Sequence, residues 1–172
     1  MSQLRVQWLW LLVMAVCFGC FAQPVWGAEH EKRPSYQIYA NYNDRLDQVT
    51  GHMKVTIPIQ GKDRHLYFHL YPNVFRNWKY GKEAKPIQPG YIQVSKVKVN
   101  GFPAKTSIRD TILQVTVPAS EVGKKTAIVE MDYRLKLPRG GTRLNTFRHT
   151  AFLAQWYPML AVKDHEGWHT EP

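Results

Sequence analysis

Cysteine is absent from all but the first twenty residues; the chain has two, Cys17 and Cys20. Everything downstream is therefore without a disulfide and without a thiolate metal ligand. No segment carries a sustained apolar stripe at helical spacing, which argues against a helical architecture. There is no glycine-rich phosphate loop, no serine or cysteine nucleophile signature, no internal repeat and no low-complexity tract. Negative charge is sparse: 13 Asp and Glu stand against 23 Lys and Arg, for a net charge of +10.

What is present begins with a leader. Arg5 is the sole charge before Glu29, and Trp8 to Ala22 is an apolar run of 15 residues. A membrane span needs about 20, so the run fits the core of a secretory signal peptide. Val25 and Gly27 supply small residues at the minus-three and minus-one positions, placing cleavage after Gly27, with Ala22 as the alternative; an uncleaved membrane anchor is the minority reading. The organisation expected is a signal peptide over 1–27, a charged flexible linker over 28–35 and one β domain over 36–172. Loss of Arg5 reduces the +10 by one, to +9, for the mature part. In an exported, secreted or envelope-associated protein the matching anions are envelope polymers and lipid headgroups, not nucleic acid. The basic residues are scattered, so a solvated basic surface is the favoured reading.

With 44% hydrophobic and 13% aromatic residues the chain can pack a core. His65 to Tyr71 alternates with period two: Leu66, Phe68 and Leu70 on one face, His65, Tyr67 and His69 on the other. Pro72 ends it and Asn73 suits a turn. Further strands are expected over Tyr36–Ala40, over Val49–Ile59 with Gly51 as a bulge and Pro58 at an edge or end, and over Ile92–Val99 with a bulge at Ser95-Lys96. Asn100-Gly101 predicts a tight hairpin with a return strand at Ala104–Ser107. Thr111–Val117 and Ala127–Leu137 follow, the latter with Val129, Met131, Tyr133, Leu135 and Leu137 on one face. Phe75 to Gly90 reads as a loop. The fold class is all-β, an antiparallel β-sandwich or saddle.

His165-Glu166-Gly167-Trp168-His169 matches the zinc-protease spacing of two histidines flanking a glutamate. That chemistry needs a helix, which puts both imidazoles on one face. Here the segment follows a strand pattern, and Asp164 and Gly167 are turn residues, so His165, Glu166 and His169 are read as a coincidental match and no metal ligand is assigned. His65 and His69, four apart on a strand, have Cα atoms roughly 13 Å apart and are read as sheet histidines.

The order Tyr36-Gln37-Ile38, Thr50-Gly51-His52-Met53-Lys54-Val55, Leu66 to Asn73, Val97-Lys98-Val99-Asn100-Gly101, Leu113 to Pro118, Gly123 with Ile128 to Leu137, Gln155-Trp156-Tyr157-Pro158 and Asp164 to Trp168 resembles the N-terminal β-saddle domain of the gluzincin zinc metallopeptidases, the membrane alanyl aminopeptidase family, in a bacterial exported branch. The resemblance covers Tyr36 to Pro172. It implies a non-catalytic domain or fragment of a secreted zinc aminopeptidase, with zinc and peptide substrates belonging to the parent enzyme. No cofactor and no catalytic residue are expected in this chain. The partner implied is a helical catalytic domain with a Gly-x-Met-Glu-Asn segment and a His-Glu-x-x-His helix. Saddle strands beyond Trp168 are also implied, so the sheet is expected to be incomplete at its C-terminal end, with the Val129–Leu137 face exposed. In such relatives a saddle Gln or Glu helps hold the substrate's free amine; Gln155 is the candidate here, against a plain solvent-facing strand glutamine. The alternative is a free-standing exported β-sandwich that binds an anionic envelope polymer or glycan through loops such as Asn77 to Lys85.

Overall fold

A computed structural model describes residues 33–59, 63–78, 85–140 and 143–171. The leader, most of the linker, and Lys79 to Ala84 of the aromatic and basic loop lie outside them. Among the described residues eleven strands follow in order: β1 Ser35–Asn43, β2 Gln48–Pro58, β3 His65–His69, β4 Tyr91–Val99, β5 Phe102–Pro103, β6 Thr106–Arg109, β7 Ile112–Thr116, β8 Thr126–Lys136, β9 Leu144–Phe147, β10 Thr150–Leu153 and β11 Met159–Leu160. A five-stranded sheet runs β1-β2-β8-β4-β5 and a four-stranded sheet runs β11-β3-β7-β6; β9 and β10 form a separate hairpin. Every strand pair is antiparallel.

The period-two pattern decides which side chains meet. Val49, Met53, Val55 and Ile57 from β2 and Val129, Met131, Tyr133 and Leu135 from β8 are buried in one core with Leu66 and Phe68 from β3 and Leu113 and Val115 from β7. Each such side chain contributes about 1.5–3 kcal/mol relative to exposure. The expectation of an exposed Val129–Leu137 face is corrected here: Tyr133 is 3% exposed and the other four are at 0%, because the four-stranded sheet contributes the opposing apolar surface.

Gly51 is not a bulge. β2 keeps unbroken register with both neighbours, Gly51 lying opposite Ala40 and Tyr133. The glycine is needed because the Tyr133 ring lies across it; a Cβ there would come within 2.3 Å of Tyr133 Cζ. Pro58 marks the end of β2, an inner strand, rather than a sheet edge. β1 runs on to Asn43, past the expected strand end at Ala40, since pairing with β2 continues to Gln48.

The bulge in β4 is present: register shifts between Ser95 and Lys98, and Lys96 has φ +52°. So is the hairpin, with φ +50° at Asn100 and +86° at Gly101, the left-handed pair that a type I′ turn requires. Asn100 also extends the ladder, its N–H donating to Ile128 O and its Oδ1 accepting from Ile128 N, both at 2.7 Å. Its Nδ2 donates to Glu121 Oε2 at 2.7 Å, and Lys124 Nζ donates to the same oxygen at 2.6 Å. The Lys124 bond first, and then the Asn100 bond, hold the Glu121 carboxyl below its usual range.

The return strand differs from expectation. β5 is two residues long, and the chain then leaves for the other sheet, Ala104 N bonding Val97 O while Lys105 O accepts from Thr116 N. The period-two pattern is silent on that switch because β6 continues the same extended conformation.

Candidate functional site

Gln155 follows the β9–β10 hairpin, whose mouth is closed by Ala154 N donating to Arg143 O at 3.2 Å. Its φ is +52°, so it sits in a left-handed turn and not in a strand. The side chain is exposed at a cleft of about 200 Å³ lined by Tyr71, Val74, Phe75, Trp78, Arg143, Leu144 and Ala154. The cleft floor comes from the turn that ends β3, through Tyr71, Val74 and Phe75. Pro72 stops the ladder and Tyr71–Phe75 turns into a single 3-10 coil, which brings the Phe75 ring onto Trp78 at 5.5 Å. Asn73 fixes that coil to both sheets, its Oδ1 accepting from Ile92 N at 2.9 Å and its Nδ2 donating to Asp110 O at 3.3 Å.

The next two residues anchor the turn. The Trp156 ring meets Tyr133 at 6.0 Å, and Tyr157 meets Tyr36 at 5.7 Å. The Tyr36 hydroxyl accepts from Leu160 N at 2.9 Å, and burial raises its pKa. Burial likewise pushes up the Tyr133 phenol, whose oxygen has no hydrogen-bond partner among the described residues. Gln155 thus offers an amide that can accept from an ammonium or donate to a carbonyl, beside the Arg143 cation and above an aromatic floor, from a turn locked to the core.

The C-terminal histidine segment is a tight hairpin. Asp164 N donates to Gly167 O at 3.0 Å, Gly167 has φ +121°, and Lys163 bridges Trp168. His169 Nε2 contacts Asp164 Oδ2 at 2.6 Å. That contact, and then the Glu166 N–H, hold the Asp164 carboxyl below its usual range. The His165 and Glu166 side chains are 88% and 75% exposed. The helix that would align His165 with His169 is therefore not formed. Among the described residues no group of three or more His, Cys, Asp or Glu could hold a metal ion.

His65 and His69 also stay apart. His69 is buried under the hairpin, stacked on Tyr71 at 4.8 Å, with Nε2 3.1 Å from His169 O. A carbonyl only accepts, so Nε2 carries the proton, and Nδ1 is buried without a partner among the described residues. Trp168 covers Tyr67 at 5.8 Å.

A second concavity, on the outer face of the five-stranded sheet, is absent from the sequence reading. It holds about 930 Å³ and is lined by Tyr39, Asn41, Thr50, His52, Gln93, Lys96, Asp132 and Arg134 among others. Asp132 accepts from His52 Nδ1 at 2.8 Å and from Lys96 Nζ at 2.9 Å, and its carboxyl is held low by His52 first and Lys96 second. The alternation along β8 marks Asp132 as outward-facing. Only the register with β2 and β4 brings His52 and Lys96 to it, and that pairing is non-local.

No family model matches the chain, and no curated protein matches it. Among solved structures, a two-domain M1 zinc metallopeptidase mutant bound to L-tryptophan is 14% identical over 69% of this chain and 26% of that one, with a TM-score of 0.44. The M1 zinc metallopeptidase from Deinococcus radiodurans is 15% identical over 66% of this chain and 22% of that one, with a TM-score of 0.43. A mutant of it bound to a Tyr-Ser-Ala substrate gives 14%, 59%, 20% and 0.42. The likeness is a weak one of fold, and the chain spans from 20% to 26% of the length of these three proteins.

Proposed function

We propose that this chain is the non-catalytic β domain of an exported zinc aminopeptidase, and that Gln155 presents its amide to the free amine of a peptide substrate held in a partner catalytic domain. The observation that carries the reading is the setting of Gln155: an exposed amide on a left-handed turn, followed at once by the Trp156 and Tyr157 anchors that lock it to Tyr133 and Tyr36. A residue that positions a substrate needs such a rigid mount. Zinc and the groups that act on the peptide bond belong to the partner domain in this reading, and this chain alone hydrolyses nothing.

The test is kinetic, in the enzyme that carries the catalytic domain. Gln155→Ala should lower kcat/KM for free-amine peptides by roughly tenfold or more, the loss of one hydrogen bond to a charged group. Equal kcat/KM for Gln155→Ala and the parent on free-amine peptides contradicts the role.

The second reading, an envelope-polymer binding module, rests on the outer concavity with His52, Lys96 and Arg134 around Asp132. It requires retention on an anionic wall polymer that is lost in a Lys96→Glu, Arg134→Glu variant.

A further inference from the structure

The two edges of the five-stranded sheet are unlike. β5 is two residues long and contains Pro103, so it offers almost nothing to a further strand. β1 is nine residues, Ser-Tyr-Gln-Ile-Tyr-Ala-Asn-Tyr-Asn, with no charge, no proline and no break in its register with β2. Among the described residues it has β2 on one side and no strand on the other. Exposed edges of that length are ordinarily interrupted by a lysine, a proline or a bulge.

We propose that β1 is a self-association edge, pairing antiparallel with β1 of a second copy across a twofold axis at Tyr39. The strand is matched to itself. Reversed about Tyr39 it sets Gln37 opposite Asn41, Ile38 opposite Ala40, Tyr36 opposite Tyr42, Ser35 opposite Asn43, and Tyr39 opposite its own copy. Ser35 against Asn43 pairs a hydroxyl with an amide; every other position meets its own class, amide with amide, aliphatic with aliphatic, aromatic with aromatic. Gln37, Tyr39 and Asn41 share the outward face, where Tyr39 is 72% exposed, and the reversal keeps both faces in phase. No like charges meet, and Ala40, exposed although on the inner row, is covered by Ile38 of the copy. A closed twofold of this kind uses up both free edges and stops at two.

Cross-linking of the full chain in a C17S/C20S background tests the register. Residues directly opposite in an antiparallel pair lie about 4.5–5.5 Å apart at Cα, within disulfide reach. Y39C should form a linked dimer on mild oxidation and Q37C alone should not, while a mixture of Q37C and N41C chains should. Sedimentation velocity supplies the second reading. Y39K and Q37K/N41K should weaken dimerisation by roughly tenfold or more, whereas Q37K/N41E, which places Lys against Glu, should retain it. No Y39C link, equal linking of Q37C and Y39C, or a monomer throughout would overturn the proposal.

Discussion

The two main sheets close one core by different means. In the five-stranded sheet β2 and β8 pair over eleven residues each, and the inside–outside alternation fixes which face of each is buried. In the four-stranded sheet no strand exceeds five residues. Its position depends on side chains reaching backbone far away: Asn73 to Ile92 N and Asp110 O, Tyr36 to Leu160 N, His69 to His169 O. A long sheet is specified by pattern and a short one by anchors. The candidate site sits where the anchored part ends, on the Gln155 turn.

That contrast can be broken from the core outward. Phe68→Ala removes the largest fully buried side chain of the short sheet and should cost about 3–5 kcal/mol, read as a lower urea midpoint. Gly51→Ala should cost about 1–3 kcal/mol by forcing the Tyr133 ring aside, although the added group is one methyl. Adding Tyr133→Leu should recover part of that loss, and a double mutant no better than G51A would show that the ring is not the cause. Asn73→Ala leaves Ile92 N without its acceptor and should cost about 1–3 kcal/mol. Faster hydrogen exchange at Ile92 than at Met131 would locate that damage at the junction of the sheets.

A smaller contribution is gated by pH. The Glu121 carboxyl is held low by Lys124 and Asn100, so its share of stability is present above the unfolded-state value of about 4.3 and is lost as pH falls through the lower folded-state value. Glu121→Gln should therefore flatten the acid limb of a stability–pH curve while Asp132 and Asp164, also held low, keep part of it. The smallest effect belongs to the long sheet's outer face. Lys96 is 78% exposed in its pair with Asp132, and Lys96→Ala should change stability by less than about 1 kcal/mol. A larger change would mean that this polar face is organised for more than solvation.

The legibility of the chain follows the same division. Leu66, Phe68, Val129 and Met131 announce their faces because neighbours two apart agree with them. Asn100-Gly101 announces its turn because few residues accept positive φ. The chain switch at Ala104-Lys105, the Tyr133 ring over Gly51 and the grouping of His52, Asp132 and Lys96 follow from non-local pairing, which local spacing does not encode. Gln155 was reachable through a family resemblance, but its left-handed turn and aromatic cleft were not, since no glycine or asparagine there signals positive φ.

The central proposal is that this β domain serves a zinc aminopeptidase, and the coding DNA past the Pro172 codon tests it most directly. The account predicts an open frame that continues into further saddle strands and a helical His-Glu-x-x-His segment. A stop codon immediately after Pro172 would contradict it and leave the outer concavity at Asp132 as the site to assay.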